Sequence, residues 1–252
     1  KYLGKIAGSQ GSGNNQFNDP RDFAFDSKGN IYVADKENSR VQVFDSEGKY
    51  VATIGGKKGS GDYEFNSPRA VAVDSKGRVF VVDNGNERVQ VFDSSFKYLS
   101  TLKGNASFQF KEPVPIAIDS ADNIYVADSK SSNIHVFNTE LSFVKDIDVG
   151  SDIIEMEGGI AFDSRGRLLV VDIEGNKVRM IDPETGNVTK TIGEQGATGN
   201  YSFDWPHGLA IAPNGDVFVV DMGNRRIQVY DSQLNFKRTI AGGADGLIET
   251  SG

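Results

Sequence analysis

Five runs of β-branched and aromatic residues, each closing on an aspartate, punctuate the chain: IYVAD at 31–35, VFVVD at 79–83, IYVAD at 124–128, LLVVD at 168–172 and VFVVD at 217–221. The aspartates (35, 83, 128, 172 and 221) stand 48, 45, 44 and 49 residues apart. After a polar loop, apolar and polar residues alternate, as in Val41-Gln42-Val43-Phe44, Val89-Gln90-Val91-Phe92 and Ile227-Gln228-Val229-Tyr230. A period of two predicts strands, and no segment carries the period of about 3.6 that a helix needs. Self-similarity at this spacing predicts a repeat architecture.

The rest of each repeat completes a set of four short strands. An aromatic-x-x-Pro turn opens it, as in Phe17 to Pro20, Phe65 to Pro68, Phe110 to Pro113 and Phe203 to Pro206. Proline suits the start of a strand because it fixes φ and lacks a donor. A small-residue strand follows, such as Phe23-Ala24-Phe25, and then an Asp-Ser-x-Gly turn, such as Asp26 to Gly29. Asp and Ser bond the local backbone there, and Gly supplies the positive φ. A second Asp-Ser turn leads to a loose outer strand, Tyr50 to Ile54 or Phe236 to Ile240. The alanine and glycine content of the first strands (Ala24, Ala72, Ala117, Gly159, Ala210) predicts that these strands crowd together. The expected fold is all-β: a β-propeller of four-stranded antiparallel blades, forming one domain over residues 1–252. The repeats run at about 16–64, 65–109, 110–153, 154–202 and 203–246.

The motifs resemble one family closely. Pro-Arg-x-x-Ala-x-Asp from Pro20 and again from Pro68, Gly29-Asn30 before the first IYVAD, and Asn38-Ser39-Arg40-Val41-Gln42-Val43-Phe44-Asp45 are similar to the NHL repeat, which covers residues 16 to 246 five times. The fourth repeat departs most, with Glu157 in place of proline and a longer Pro183-Glu184-Thr185-Gly186 turn. The resemblance implies a propeller, six-bladed in most members, that binds protein or RNA, with enzymes a minority and microbial members often outside the cell. One segment exceeds five complete repeats: Lys1 to Gly8 reads like the outer strands Lys49 to Gly56 and Lys97 to Gly104. The ring is therefore expected to be five- or six-bladed. The surplus strand belongs to a five-bladed ring, to a fragment missing most of a sixth blade (the favoured reading), or to an assembly in which Tyr2, Leu3 and Ile6 pair with the open edge of another copy.

Charge narrows the partners. A formal net charge of −8 repels phosphate backbones on average, so nucleic acid is not expected. Arg21 and Arg69 are candidates for a small positive spot, but the equivalent residues are Val114, Gly158 and His207. With no cysteine there is no disulfide and no thiolate metal site, and no stretch is long and apolar enough for a membrane span. Sequons at Asn105, Asn187 and Asn200 are compatible with an extracellular or cell-surface setting.

Neither enzyme chemistry nor a cofactor is expected. A catalytic zinc takes three protein ligands, commonly histidines; this chain has two, with His135 read as a solvent-side strand residue and His207 as a post-proline residue. The resemblance to amidating lyases, whose chemistry is histidine-rich, fails on this count. Asp22, Glu157 and Asp204 are oxygen donors of the kind that holds calcium in lactonase-like propellers, and they read more simply as solvated charge. Asp35/Arg40, Asp83/Arg88 and Asp221/Arg226 share a five-residue step that fits an exposed structural tie. The glycine- and serine-rich loops 9–16, 56–64 and 193–202 are expected to be mobile. Trp205, the one tryptophan, stands beside Pro206 and His207 and reads either as a partner anchor or as a ring packed on Phe203. The expected function is a non-enzymatic interaction module for a protein or glycan, through Arg21, Arg69, Trp205 and His207. The alternatives are a self-assembling structural subunit and a metal-assisted hydrolase or lyase.

Overall fold

The computed structural model describes residues 6, 9–150, 156–195 and 199–241, excepting the side chains of 195 and 241. They fall into two compact units, Lys1–Ile118 and Asp119–Gly252. The first unit holds blade 1 (Pro20–Phe25, Ile31–Asp35, Arg40–Phe44, Tyr50–Gly55) and blade 2 (Pro68–Val73, Val79–Asp83, Arg88–Phe92, Tyr98–Lys103). It also carries Pro113–Ile118, the first strand of blade 3. The second unit holds the rest of blade 3 (Ile124–Asp128, Asn133–Phe137, Phe143–Asp148), together with blades 4 and 5. Blade 4 comprises Ile160–Phe162, Leu168–Asp172, Lys177–Ile181 and Val188–Ile192; blade 5 comprises Pro206–Ile211, Val217–Asp221, Arg226–Tyr230 and Phe236–Ala241.

Five sheets have four strands each in chain order, and the architecture is that of the β-propeller. The described helical content is two single 3₁₀ turns, Lys36–Asn38 and Asn84–Asn86. The hairpins form where expected: Asp26 Oδ1 accepts the N–H groups of Lys28 and Asn30, and Gly29 has φ 81°. The fourth repeat departs here as well, since its first strand has three residues where the others have six. A Cβ on Gly159 would lie 2.6 Å from the Leu209 backbone nitrogen, so only glycine admits the blade 5 strand this closely. The expected crowding is not uniform, for Ala210 is exposed.

The apolar cores lie between consecutive blades. In the first unit Tyr32, Ala34, Val41 and Ile54 of blade 1 pack with Val71, Val79, Val81 and Phe92 of blade 2. In the second, Leu169, Val171, Val178 and Met180 of blade 4 pack with Val217, Val219, Tyr230 and Leu234 of blade 5. Each sheet is therefore buried on a face that has no alternative partner, as repeat architectures require.

The Asp/Arg step is buried, which corrects the exposed tie expected from sequence. Asp35 is fully buried and accepts Arg40 Nε at 2.7 Å, Asn38 Nδ2 at 2.8 Å and the Asn18 N–H at 2.7 Å. Asp83 and Asp221 repeat the pattern with Arg88 at 2.8 Å and Arg226 at 2.7 Å. Each guanidinium also donates to carbonyls of the loop ahead of its blade: Arg40 to Ser12, Gly13 and Gln16, Arg88 to Ser60, Gly61 and Glu64, Arg226 to Gly199 and Ser202. Gln42, Gln90 and Gln228 donate to carbonyls of the same loops, and Gln42 and Gln90 also accept the Asn15 and Tyr63 N–H groups. These lead-in loops, expected to be mobile, are thus pinned over their described residues.

Where Asn133 and Lys177 replace the arginine, the partner of the aspartate moves two residues along. His135 Nε2 lies 3.5 Å from Asp128, and Arg179 donates to Asp172 at 3.3 Å. His135 is therefore no solvent-side residue: it is buried, and its Nδ1 lies 2.6 Å from Asp146 Oδ1. The slot faces the polar seam beneath the lead-in loop, so a polar residue there signals burial, not exposure.

Candidate functional site

Scaffold that repeats in every blade leaves function to the positions that differ. The most divergent is the residue just before the opening proline: Asp19, Ser67, Glu112 and Trp205. In blades 1, 2 and 5 it has positive φ (58°, 57° and 54°), a region that bulky side chains rarely adopt. The backbone explains why it stays there. Asp204 N–H is held by Asp221, Trp205 N–H donates to Asn176 Oδ1 at 2.9 Å, and Trp205 C=O accepts Met222 N–H at 3.2 Å. With both backbone groups fixed, the ring projects outward.

Trp205 is 55% exposed, which rules out the reading of a ring packed on Phe203; Phe203 is itself fully buried against Tyr230. The indole lines an open cleft of about 380 Å³ with Glu174, Asn176 and Asp204. Neither carboxylate has an ion-pair partner among the described residues, and both are exposed. An aromatic face between two unmatched anions is suited chemically to a cation. His207 does not line this cleft; it is half-buried, and its carbonyl accepts the Gly159 N–H at 2.8 Å.

The same position in blade 1 is closed by its own charges. Asp19 bonds both Arg21 and Lys36 at 2.8 Å. Burial pushes its carboxyl up, but the bonds from Lys36 and Arg21 outweigh that and hold it below its ordinary value. Arg21 is therefore engaged, and Arg69 is half-buried on its strand, so the first unit does not present them as a free cationic spot. Asp22 is not an open ligand either. Its carboxylate accepts the Val71 N–H of blade 2 at 3.0 Å, and burial raises its pKa to about 6. Glu157 is half-buried, and among the described residues no three His, Asp or Glu side chains converge on a common metal position. Of the surplus strand, Tyr2 and Leu3 lie outside the described residues, and Ile6 is a half-buried bend near Gly48.

Known proteins carry the same repeat. The NHL repeat family matches residues 110–137 and 203–230, and the family described as a 6-bladed beta-propeller matches residues 25–112. The chain is a β-propeller that carries NHL repeats. A probable peptidyl-alpha-hydroxyglycine alpha-amidating lyase of Caenorhabditis elegans is 30% identical over 96 residues, which is 37% of this chain and 27% of that protein. NHL repeat-containing protein 2 of Homo sapiens is 35% identical over 83 residues, 29% of this chain and 11% of that protein. The NHL-repeat chain thus spans well under a third of either relative. Among solved structures, a chain of a nidogen/laminin complex superposes with TM-score 0.73 at 16% identity, covering 91% of this chain and 82% of that one. A streptogramin B lyase superposes with TM-score 0.65 at 13% identity, covering 88% and 68%. At such identities the likeness is one of fold. Among the described residues of this propeller no helix is long and apolar enough to cross a membrane.

Proposed function

We propose that this propeller is a non-enzymatic interaction module, working at a cell surface or outside the cell, that holds a basic side chain of a protein partner in the Trp205 cleft. The observation behind this reading is the exposed indole flanked by Glu174 and Asp204, two carboxylates with no cation of the described chain to neutralise them. A lysine or arginine over the ring gains cation–π attraction and both anions at once, worth about 1–2 kcal/mol at a partly desolvated site. Trp205 is the one tryptophan, so its fluorescence reports on the cleft directly. Titration with an acetylated Gly-Lys-Gly peptide should shift the emission, and the Gly-Glu-Gly peptide should not. Glu174→Gln should weaken the response. A shift with the acidic peptide, or none with the basic one, overturns the basic-partner reading, and a shift with a neutral oligosaccharide alone points to a glycan.

Self-association is a second reading, favoured by Phe23 and Phe25, which are 62% and 58% exposed on the first strand of blade 1 with their rings edge to edge at 5.6 Å. Under that reading, light scattering over a hundredfold dilution gives a mass that falls toward the monomer, and Phe23→Ser removes the larger species. A steady monomer overturns it. The lyase names of two similar proteins support a third reading, an enzyme. Turnover of a peptidyl-α-hydroxyglycine peptide or of a streptogramin B would establish it and displace the binding-only reading.

A further inference from the structure

Four Asp-led turns among the described residues close on an asparagine, whose carbonyl accepts the aspartate N–H: Asp26 to Asn30, Asp119 to Asn123, Asp182 to Asn187 and Asp231 to Asn235. In three of them the asparagine side chain serves the turn. Asn30 Nδ2 donates to Asp26 at 2.7 Å, Asn123 to Asp119 at 2.9 Å and Asn235 to Asp231 at 2.9 Å. The Asp182 turn is one residue longer, and its bonds are rearranged. Asp182 Oδ1 accepts the Glu184 and Thr185 N–H groups, and the Asn187 N–H turns to Thr185 Oγ1 at 3.3 Å. The inserted residue thus releases the Asn187 side-chain amide, which makes no hydrogen bond among the described residues.

The released amide is also well presented. Asn187, Val188 and Thr189 are all exposed. The near side of the turn is fixed, since Lys145 of blade 3 donates to the Pro183 carbonyl at 2.9 Å and the Glu184 carbonyl at 3.3 Å. Asn187-Val188-Thr189 is an Asn-x-Thr triplet, the acceptor pattern of N-glycosylation. The other two triplets are held differently. Asn105 folds its Oδ1 back onto the Ser107 and Phe108 N–H groups at 2.7 and 3.3 Å. Asn200 lies in the loop gripped by Arg226; its carbonyl accepts the Tyr230 hydroxyl at 2.9 Å, and the Tyr201 ring packs on Tyr230 and Phe236.

We propose that Asn187 is an N-glycosylation site, and that it alone of the three triplets carries a glycan. The inference rests on the setting outside the cell proposed above. The donor is a lipid-linked oligosaccharide, presented by a glycosyltransferase. Asn187 Nδ2 forms a bond to the sugar C1 as the C1–oxygen bond breaks, its electron pair leaves on the lipid diphosphate, and the transferase takes one amide proton. The position suits a binding module. Leu168 pairs with Ile181 and Asp172 with Lys177, so Asn187 stands at the opposite end of blade 4 from Glu174. A glycan there covers the exposed Val188 and leaves the Trp205 cleft open.

The test is glycopeptide mass spectrometry on the protein recovered from the medium and surface of its own cells. The triplets fall on separate tryptic peptides, 104–111, 180–190 and 191–225. Peptide 180–190 should carry the added mass of a glycan, with sugar fragment ions, and the other two should be bare. Asn187→Gln and Thr189→Ala should each remove that mass from the intact protein. A bare 180–190 peptide in protein from outside the cell overturns the inference and leaves the external setting standing. Glycan on 104–111 or 191–225 to the same extent overturns the selection by the released amide. Bare protein found only inside cells overturns the external setting, and this inference with it. The mapping of the unaltered protein decides the matter even if a variant fails to fold.

Discussion

The lead-in positions of blades 1 and 5 share one backbone and carry opposite chemistry. Asp19 and Trp205 both precede a proline, both have positive φ, and both offer their carbonyl to the N–H of the residue after the strand-closing aspartate, Lys36 and Met222. Around Asp19 the charges close on one another; around Trp205 two carboxylates are left without a cation of the described chain. The difference teaches that the repeat holds this position rigidly and leaves its side chain free to be chosen. Binding chemistry is thus found where the repeats disagree, and stability where they agree.

The comparison breaks most severely if its shared support is removed. Asp35→Ala and Asp221→Ala each strip a fully buried acceptor from an arginine and from a lead-in N–H. Each should cost about 3–5 kcal/mol, read as a lower urea midpoint, because a buried charge loses its partner. Similar losses in the two variants would show that the support is common; a negligible loss in either would break the comparison. Leu234→Ala should come next, at about 3 kcal/mol from the lost buried side chain.

Asp22 gives a pH-dependent test within blade 1. Its pKa is raised from 3.8 to about 6, so the folded chain binds more protons than the unfolded one between those values. Stability should therefore fall as pH rises from about 4 to about 6, with the full cost present above that window. Asp22→Asn should raise stability at pH 7 by about 2 kcal/mol and flatten that stretch of the melting-temperature profile. A steeper profile in the variant would show that Asp22 is ionised at little cost. The smallest effect belongs to the variable slot: Trp205→Ala should change stability by under about 0.5 kcal/mol, while removing binding of the basic peptide as read by NMR shifts of the peptide itself. A large destabilisation would make the indole part of the scaffold.

Much of the scaffold was legible because it is local. The VAD runs, Asp-Ser turns and outer strands are set by residues close in sequence, and the Asp/Arg step was visible as a tie. Its burial was not, because alternation assigns Gln42 and His135 to the polar face of a strand, while the lead-in loop that covers that face lies some 25 residues earlier. Arg21 was legible as a charge but not as a paired one, since Asp19 and Lys36 meet only once the blade is folded. The exposure of Trp205 follows from a positive φ that no residue preference announces for tryptophan.

The guanidinium groups of Arg40, Arg88 and Arg226 grip their loops through main-chain oxygens alone. A carbonyl is present whatever the amino acid, so this clamp is indifferent to the letters it holds. The same loops can be rewritten by mutation, or randomised in a library, while the clamp continues to hold them in shape. That indifference makes the lead-in loops the natural place for such a repeat to diversify its surface without rebuilding its frame.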